Sequence, residues 1–329
     1  MRTTMKGRRW ILALTALTAL VVVPANAEDM KVWRHGIVEA KSDAGIVFMP
    51  SKGGFAEKHG LKIEIMQFKG DTLALKALLA GELDSYEGNP GSPMVAASRG
   101  ADIKLLGCYW PGLTYAIYSK PDIKSPADLK GKTFAISAPG ALPELVARAV
   151  LTQNNVSAAD VKFTVMGSDA DRFKAVTAGI VDAAAASSGF APAAEKAGVK
   201  MLVHAIEAVP NYVRFCIYSS GKTLASRKDD AAHFLAAEMA GFRHALANRD
   251  QTIALTREIT FAKPDNPLPA FTYDEVKRYS AVDPDMPIPM SKLAWLRDLL
   301  VTTGNLTKPL DLDAFVDGDI RAKALQIGK

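Results

Sequence analysis

Residues 129–150 contain the pattern that decides the fold: Leu129-Lys-Gly-Lys-Thr-Phe-Ala-Ile-Ser-Ala-Pro-Gly-Ala-Leu-Pro-Glu-Leu-Val-Ala-Arg-Ala-Val150. Residues 132–136 form a short apolar run typical of a strand. Residues 143–154 are predicted as a helix, because Pro143 stands in the first turn, where its missing N–H costs no helical hydrogen bond. The apolar residues of this segment share one helical face: Leu142, Leu145, Val146, Ala149 and Val150. A strand followed directly by a helix is the repeating unit of a parallel α/β sheet.

The same alternation continues on both sides of this stretch and predicts an α/β fold. The predicted strands are residues 30–36, 61–66, 103–107, 113–119, 132–136, 181–186, 201–204 and 212–219, with a short strand and a turn-rich loop in 83–93. The predicted helices are residues 41–59 (broken near Pro50), 71–81, 94–99, 143–154, 169–179, 228–248, 251–260, 274–280 and 290–303. The Pro-rich segments 263–269 and 283–289 are predicted as surface loops.

These elements suggest two α/β lobes, one inserted into the other. We expect residues 28–110 and 220–329 to form lobe 1 and residues 111–219 to form lobe 2. The chain would cross between them near residues 108–112 and again near 219–225. Two such crossings make a hinge, and a hinge between lobes makes a ligand cleft.

The first 27 residues are typical of a secretory signal. Basic residues precede an apolar run at residues 10–23, and small residues precede a cleavage site after Ala27. The run is shorter than the ~20 residues of a membrane-spanning helix, although an N-terminal anchor helix stays an alternative. Adjacent Arg8 and Arg9 leave the export route, general secretory or twin-arginine, undecided. The signal predicts a periplasmic protein.

The charge of the chain supports this view of its N-terminus. The 329 residues include 40 Lys+Arg and 35 Asp+Glu, a net charge of +5. Residues 1–27 hold four basic and no acidic side chains, so the remaining chain has 36 basic against 35 acidic groups, or +1. A nearly neutral protein gives no reason to expect a nucleic acid as partner.

No catalytic or metal-binding motif is present in the sequence. We find no G-x-S-x-G, no phosphate-binding loop, no H-E-x-x-H and no G-x-G-x-x-G, and the cysteines and histidines lack zinc spacing. We therefore expect no cofactor, no metal and no enzymatic activity. Cys108 and Cys216 fall near the predicted crossings, and an oxidising periplasm permits a disulfide between them.

Four turns join predicted strands to predicted helices, at residues 40–44, 70–72, 87–92 and 137–142. Such turns gather at the carboxyl ends of parallel strands, where ligands bind. Helix N-termini there offer free N–H groups and a partial positive charge, which suit a carboxylate or sulfonate. Alternatively, Ser42, Asp71 and Ser137 only cap their helices.

Five segments in order resemble a known family. These are the opening Leu-Lys-Gly-Lys stretch with its following Ala-Pro-Gly-Ala turn, and residues 55–61, 75–84, 98–107 and 173–184. Together they resemble solute-binding proteins of ABC importers, in the nitrate/sulfonate/taurine and pyrimidine-precursor branch. The resemblance implies a two-lobed periplasmic-binding-protein type II fold. It also implies a monomer that delivers a small molecule to an inner-membrane permease and its ATPase.

Carried over position by position, the resemblance implies a ligand site shared by the lobes. Lobe 1 would contribute Ser42, Asp43, Asp71, Glu87, Gly88 and Asn89, and lobe 2 Ser137, Ala138, Gly140, Ala141, Ser187, Ser188 and Phe190. Two departures from the family's pattern argue against sulfate or nitrate as the ligand. One is the small Ala186-Ser-Ser-Gly-Phe190 segment, and the other is Ala138-Pro139 with Glu144 nearby. We expect a larger organic acid, a sulfonate or a heteroaromatic compound. Phe190, Tyr86, Tyr109 and Trp110 are stacking candidates, unless they belong to the lobe cores.

Two other functions stay open at this point. Relatives of this branch include a desulfinase that uses a cleft cysteine with His and Arg, and a pyrimidine synthase with a His/Cys-rich motif. Neither cluster occurs in the sequence. A binding protein that feeds a sensor instead of an importer has no distinguishing sequence feature.

Overall fold

The computed structural model describes Met1 and residues 30–328 of the chain. The strands are β1 (Lys31–Val38), β2 (Leu61–Phe68), β3 (Ser85–Gly88), β4 (Lys104–Trp110), β5 (Tyr115–Ser119), β6 (Thr133–Ile136), β7 (Lys162–Val165), β8 (Ala183–Ser187), β9 (Lys200–His204) and β10 (Phe215–Ser219). The helices are α1 (Ala44–Lys52), α2 (Asp71–Leu79), α3 (Gly91–Ser98), α4 (Leu142–Gln153), α5 (Asp169–Thr177), α6 (Ala191–Ala194), α7 (Ala205–Ala208), α8 (Gly221–Ala247), α9 (Arg249–Thr260), α10 (Leu268–Arg278), α11 (Met290–Thr302), α12 (Leu312–Phe315) and α13 (Gly318–Ile327). The predicted signal peptide, apart from Met1, lies outside the described residues.

The strands form two five-stranded mixed sheets, which define two lobes. The sheet of the first lobe has the order β2-β1-β3-β10-β4, and that of the second has the order β7-β6-β8-β5-β9. In the first sheet β1 runs parallel to β2 and β3, whereas β10 runs antiparallel to β3 and β4. In the second, β6 runs parallel to β7 and β8, and β5 runs antiparallel to β8 and β9. The predicted α/β class is confirmed.

The opening stretch folds as predicted and forms part of the second lobe's core. Strand β6 is followed by α4, which has Pro143 in its first turn. Leu145, Val146 and Val150 of α4 are almost completely buried. Their burial fixes α4 on the sheet, and thereby fixes the turn at residues 137–141 that precedes it.

The return from the second lobe to the first differs from the prediction. The predicted boundary at residues 219 and 220 is wrong, because β10 pairs with β3 and β4 and belongs to the first sheet. The chain enters the second lobe between Trp110 and Tyr115 and leaves it between α7 and β10. The Arg214 amide donates to the Trp110 carbonyl at 3.0 Å, so the two crossings lie side by side.

The helices that follow β10 pack mainly on the first lobe, where α8 contacts α1, α9 and α13. Helix α10 also reaches the second lobe and contacts the 3-10 helix Ser188–Phe190. It begins at Leu268, so part of the predicted loop 263–269 is helical. Pro269 did not exclude this, because proline is tolerated in the first turn of a helix.

Cys108 and Cys216 form a disulfide that joins β4 to β10 within the first sheet. Both residues are fully buried and lie within a few residues of the crossings. The helices that the structure describes include none with the length and apolar character needed to span a membrane.

Candidate functional site

A cavity of about 90 Å³ lies between the two lobes. Both lobes and the return crossing contribute to its walls. The lining residues are Val38, Glu39, Lys41, Lys69, Gly70, Asp71 and Asn89 of the first lobe, Tyr115, Ser137, Ala141, Leu142, Pro143, Gly167, Ser168, Asp169 and Arg172 of the second, and Arg214 and Phe215 of the crossing. Because the lobes share these walls, their relative position determines the shape of the cavity.

The sheet topology explains why these residues meet. Strands β1, β2, β3, β6 and β7 each end at the cavity, and the following loops or helix N-termini line it. Carboxyl ends of parallel strands gather at one edge of a sheet, and the two edges face each other across the cleft. All four predicted strand-to-helix turns supply lining residues, and the turn at residues 167–169 after β7 is a fifth that sequence reasoning missed.

An ionic network forms the second-lobe wall. Asp169 accepts hydrogen bonds from Tyr115 Oη at 2.6 Å and from the guanidinium of Arg172. Arg172 Nη2 also donates to Tyr115 Oη at 2.7 Å, and its Nε donates to the Ala185 carbonyl at 2.9 Å. Lys41 of the first lobe reaches across the cleft to Asp169 Oδ2 at 2.7 Å. Although burial opposes ionisation, Lys41 and Arg172 hold the pKa of Asp169 below its ordinary value.

Arg214 holds the return crossing in place. Its guanidinium pairs with Asp43 Oδ2 at 2.6 Å and donates to Thr114 Oγ1 at 2.8 Å. It also stacks over Trp110, 4.3 Å from the ring centroid. Asp43 was predicted to touch a ligand; in the structure its carboxylate pairs with this arginine, and the residue lines a narrow recess.

Asp71 lies at the floor of the cavity, where α2 begins. Both carboxylate oxygens are buried, and neither has a hydrogen-bond partner among the described residues. Burial raises the pKa of Asp71 to about 7, and the Ser92 hydroxyl and the Asn89 backbone N–H, which lie near the carboxylate but outside hydrogen-bond geometry, oppose this shift only in part. The absent side chain of Gly88 makes room for the carboxylate, because a Cβ there would lie 1.9 Å from Asp71 Oδ1.

Glu87 lies deeper in the first lobe than predicted. It is buried and accepts a hydrogen bond from Tyr109 Oη. Burial raises the pKa of Glu87 to about 8, with the Tyr109 hydrogen bond acting in the opposite direction. Glu87 is separated from the cavity between the lobes and contributes to a narrow recess beside Asp43 and Arg214.

The segment 187–190 bridges the lobes at a second opening. Ser188 Oγ donates to Glu275 Oε2 of α10 at 2.7 Å, and His204 Nε2 lies 2.7 Å from Glu275 Oε1. Phe190 stacks on Phe173 with 4.7 Å between ring centroids. This opening, of about 140 Å³, is lined by Lys41, Ser42, Ser187, Gly189, Phe190 and Leu268.

The predicted site residues are therefore distributed over several places. Asp71, Asn89, Ser137 and Ala141 line the cavity between the lobes, and Ser42, Ser187 and Phe190 line the second opening. Ala138 lines neither of these two spaces, and the Gly140 amide donates to the Glu144 carboxylate, which already pairs with Arg148 at 2.7 Å. Tyr86, Tyr109 and Trp110 are fully buried in the first lobe, so the alternative assignment of these rings to the core is correct.

Sequence reasoning missed the cationic residues of the cavity. Arg172 follows a strand, β7, that it did not predict, and Arg214 lies in a crossing without a motif. Within the part of the chain that the structure describes, no group of three or more His, Cys, Asp or Glu side chains is arranged to hold a metal ion.

The family model described as "NMT1/THI5 like" matches residues 42–252, which is more than half of the chain. The chain belongs to the NMT1/THI5-like family. This membership and the two-lobed fold confirm the resemblance expected from the sequence. Among curated proteins, none matches the sequence.

Solved structures share the fold of this NMT1/THI5-like protein. The alkanesulfonate-binding protein SsuA from Xanthomonas axonopodis pv. citri, bound to MOPS, is 18% identical with a TM-score of 0.73, covering 89% of this chain and 100% of its own. The periplasmic nitrate-binding protein NrtA from Synechocystis PCC 6803 is 13% identical with a TM-score of 0.74, covering 91% and 89%. The desulfurization enzyme DSZB is 15% identical with a TM-score of 0.64, covering 91% and 100%. At these identities the likeness establishes the periplasmic-binding-protein fold.

Proposed function

We propose that this protein is the periplasmic solute-binding component of an ABC importer and that it captures a small organic acid between its lobes. The observation that carries the proposal is the cavity wall, where Lys41 and Arg172 pair with the ionised carboxylate of Asp169 and Lys69 adds a third cation. Glu39 lies exposed in the same wall. A carboxylate or sulfonate would complete the pairing of these cations.

The remaining walls suit the organic part of such a ligand. Val38, Leu142, Pro143 and Phe215 give apolar surface beside the charged groups. A mostly apolar pocket with a few convergent polar groups is typical of a small-molecule site. We therefore favour an organic acid over an inorganic anion.

The contacts between the lobes support capture by closure. The Lys41–Asp169 ion pair and the Ser188–Glu275 hydrogen bond both join the first lobe or its packed helices to the second. A ligand that touches both lobes favours the closed form, because only that form makes both sets of contacts. NrtA and SsuA, named as binding proteins, support capture of a solute, and delivery to a permease and its ATPase is the role that the family resemblance implies.

The enzyme alternative lacks its nucleophile in this structure. A desulfinase-like reaction needs a cleft cysteine, whereas Cys108 and Cys216 are joined to each other and buried in the first sheet. DSZB shares the fold, but a shared fold does not transfer an activity.

Native mass spectrometry on protein released from the periplasm tests the proposal. We expect an added mass of a small acid that is lost after unfolding and refolding. We also expect carboxylates, sulfonates or heteroaromatic acids from a panel to raise the melting temperature of the refolded protein. At 100 times Kd the ligand adds about 2.7 kcal/mol to the free energy of unfolding, which corresponds to a shift of several degrees.

Two variants make the test specific. Lys69→Ala removes a cation from the cavity and should weaken the shift, whereas Lys52→Ala, at the exposed end of α1, should leave it unchanged. The proposal fails if the isolated protein holds no small molecule and no panel member shifts its melting temperature.

A further inference from the structure

Four buried polar side chains, in the first lobe and the return crossing, have no hydrogen-bond partner among the described residues. They are Asp71 through both carboxylate oxygens, and Tyr86, Tyr212 and Tyr218 through their hydroxyls. We call these four residues the Asp71 cluster. Each hydroxyl lies close enough to the Asp71 carboxylate for that charge to raise the pKa of the tyrosine, in addition to the larger effect of burial.

The sheet register brings the cluster together. Tyr218 of β10 lies opposite Tyr86 of β3, with 5.2 Å between ring centroids. The next pair on the same face is Cys216 and Gly88. Because Gly88 has no side chain, the Asp71 carboxylate occupies the space above it, next to the Tyr86 ring. Asp71 is the member that also lines the cavity, so the cluster adjoins the ligand space.

The chemistry of the cluster selects its partner. Once ionised, as a neighbouring cation favours, the Asp71 carboxylate only accepts hydrogen bonds, and phenol hydroxyls accept as well as donate. Buried polar groups without partners are rare, because each one costs about 1–3 kcal/mol. Another anion beside Asp71 would be repelled, whereas a cationic nitrogen with several N–H groups can satisfy the carboxylate and the hydroxyls together.

We propose that the Asp71 cluster is a subsite for a protonated amine at one end of the ligand, whose acid end faces Arg172 and Lys69. The inference rests on the proposed function and narrows its substrate class to small amino acid-like zwitterions. The charges of the cavity match this polarity. The floor carries the carboxylate of Asp71, whereas in the walls the three cations Lys41, Lys69 and Arg172 outnumber the carboxylates of Glu39 and Asp169.

Matched acids that differ only at the far end test this inference. One set is β-alanine, 3-hydroxypropanoate and butanoate, and a longer set is 4-(aminomethyl)benzoate, 4-(hydroxymethyl)benzoate and 4-ethylbenzoate. Dissociation constants are measured by calorimetry on the refolded wild-type protein. In a set that binds, we expect the amine to bind at least tenfold more tightly than its hydroxyl and alkyl partners.

Variants separate the two ends of the ligand. Asp71→Asn should reduce the preference for the amine to threefold or less, and Tyr218→Phe, which keeps the ring, should weaken only the amine. Arg172→Lys should weaken all members of a set alike. Asp250→Asn, at a fully exposed carboxylate, is the matched control and should change nothing.

Each outcome has a distinct meaning. Acids that bind without a preference for the amine, or a preference that survives in Asp71→Asn, would overturn the inference and leave the cluster as a site for ordered water. That result would leave the proposed function intact. If no member of either set binds and the isolated protein holds no small molecule, the proposed function itself fails.

Discussion

Arg172 is the residue on which the second-lobe wall depends. It is buried and donates to Asp169, to Tyr115 Oη and to the Ala185 carbonyl. Arg172→Ala should lower the free energy of unfolding by about 3 kcal/mol, because it leaves the buried Asp169 with Lys41 as its only cation. Urea denaturation measures this change. Arg99→Ala, at an exposed arginine that ends α3, should change it by less than about 0.5 kcal/mol, and equal losses in both variants would contradict the assignment.

Asp71 also makes the stability of the protein depend on pH. The pKa of its carboxyl rises from 3.8 to about 7 on folding, so between these values the folded state holds a proton that the unfolded state has released. The stabilisation that the protonated Asp71 carboxyl contributes is fully present at low pH and is lost as pH rises towards 7. The total loss is about 1.4 kcal/mol for each unit by which the folded and unfolded pKa values differ. The free energy of unfolding of Asp71→Asn, relative to that of the wild type, should therefore increase as the pH rises from 5 to 7.

The comparison must be made as a difference between variant and wild type. Burial lowers the pKa of His35 to about 3, which gives the opposite slope below pH 6.5 in both proteins and cancels. Glu87→Gln should show the same trend as Asp71→Asn up to about pH 8. A constant difference between Asp71→Asn and the wild type from pH 5 to 7 would show that Asp71 is ionised throughout.

The sequence predicted the parts of the site that follow predicted strands, and it missed those that depend on β7 and on the return crossing. Asp71, Asn89 and Ser137 follow predicted strands, so their place at the cavity could be inferred from topology. Arg214 could not be inferred, because its place depends on how two crossings lie against each other in space. Ser188 was expected to face a ligand, but the packing of α10 brings Glu275 to it.

Among the elements, β4 and β10 are linked by the Cys108–Cys216 disulfide, which closes a loop of 108 residues containing most of the second lobe. A crosslink over so long a loop stabilises by on the order of 3–5 kcal/mol, largely through the unfolded state. The reductant TCEP should therefore lower the urea midpoint of the wild type. The double variant Cys108→Ser and Cys216→Ser should start lower and should not respond to TCEP. A wild-type midpoint that TCEP leaves unchanged would contradict this role.

Helix α10 acts as a contact between the lobes through Glu275. Its carboxylate is buried and accepts from Ser188 while lying against His204. Glu275→Ala removes these contacts from the closed form, so we expect faster ligand dissociation, by about tenfold, in stopped-flow experiments with the ligand found by mass spectrometry. Glu258→Gln, on the exposed face of α9, is the control. An unchanged dissociation rate in Glu275→Ala would assign the contact to folding alone.

Elements with strong periodicity were predictable, and those defined by pairing were not. Strand β6 and helix α4 appear within one residue of their predicted bounds, because the apolar pattern and Pro143 fix them locally. The sheet to which β10 belongs depends on its partners β3 and β4, which are distant in sequence. Strand β7 escaped prediction because its sequence, Lys162-Phe-Thr-Val165, is short and partly exposed.

At the scale of the whole molecule, two lobes meet at a cavity and are joined by two adjacent crossings. The disulfide holds the strands next to these crossings, so we expect any hinge movement between the lobes in residues 111–114 and 209–214. The structure is a closed form, because Lys41–Asp169 and Ser188–Glu275 both span the lobes. Under the proposed function, ligand binding would shift a population of open and closed forms through its greater affinity for the closed one.

Small-angle X-ray scattering of the refolded, ligand-free protein, before and after addition of the ligand found by mass spectrometry, tests closure around the cavity most directly. We predict that the radius of gyration falls on ligand addition in the wild type and in Lys52→Ala. In Lys41→Ala the fall should need a higher ligand concentration, because one contact of the cavity wall is lost. A ligand that binds with an unchanged radius of gyration would contradict the account.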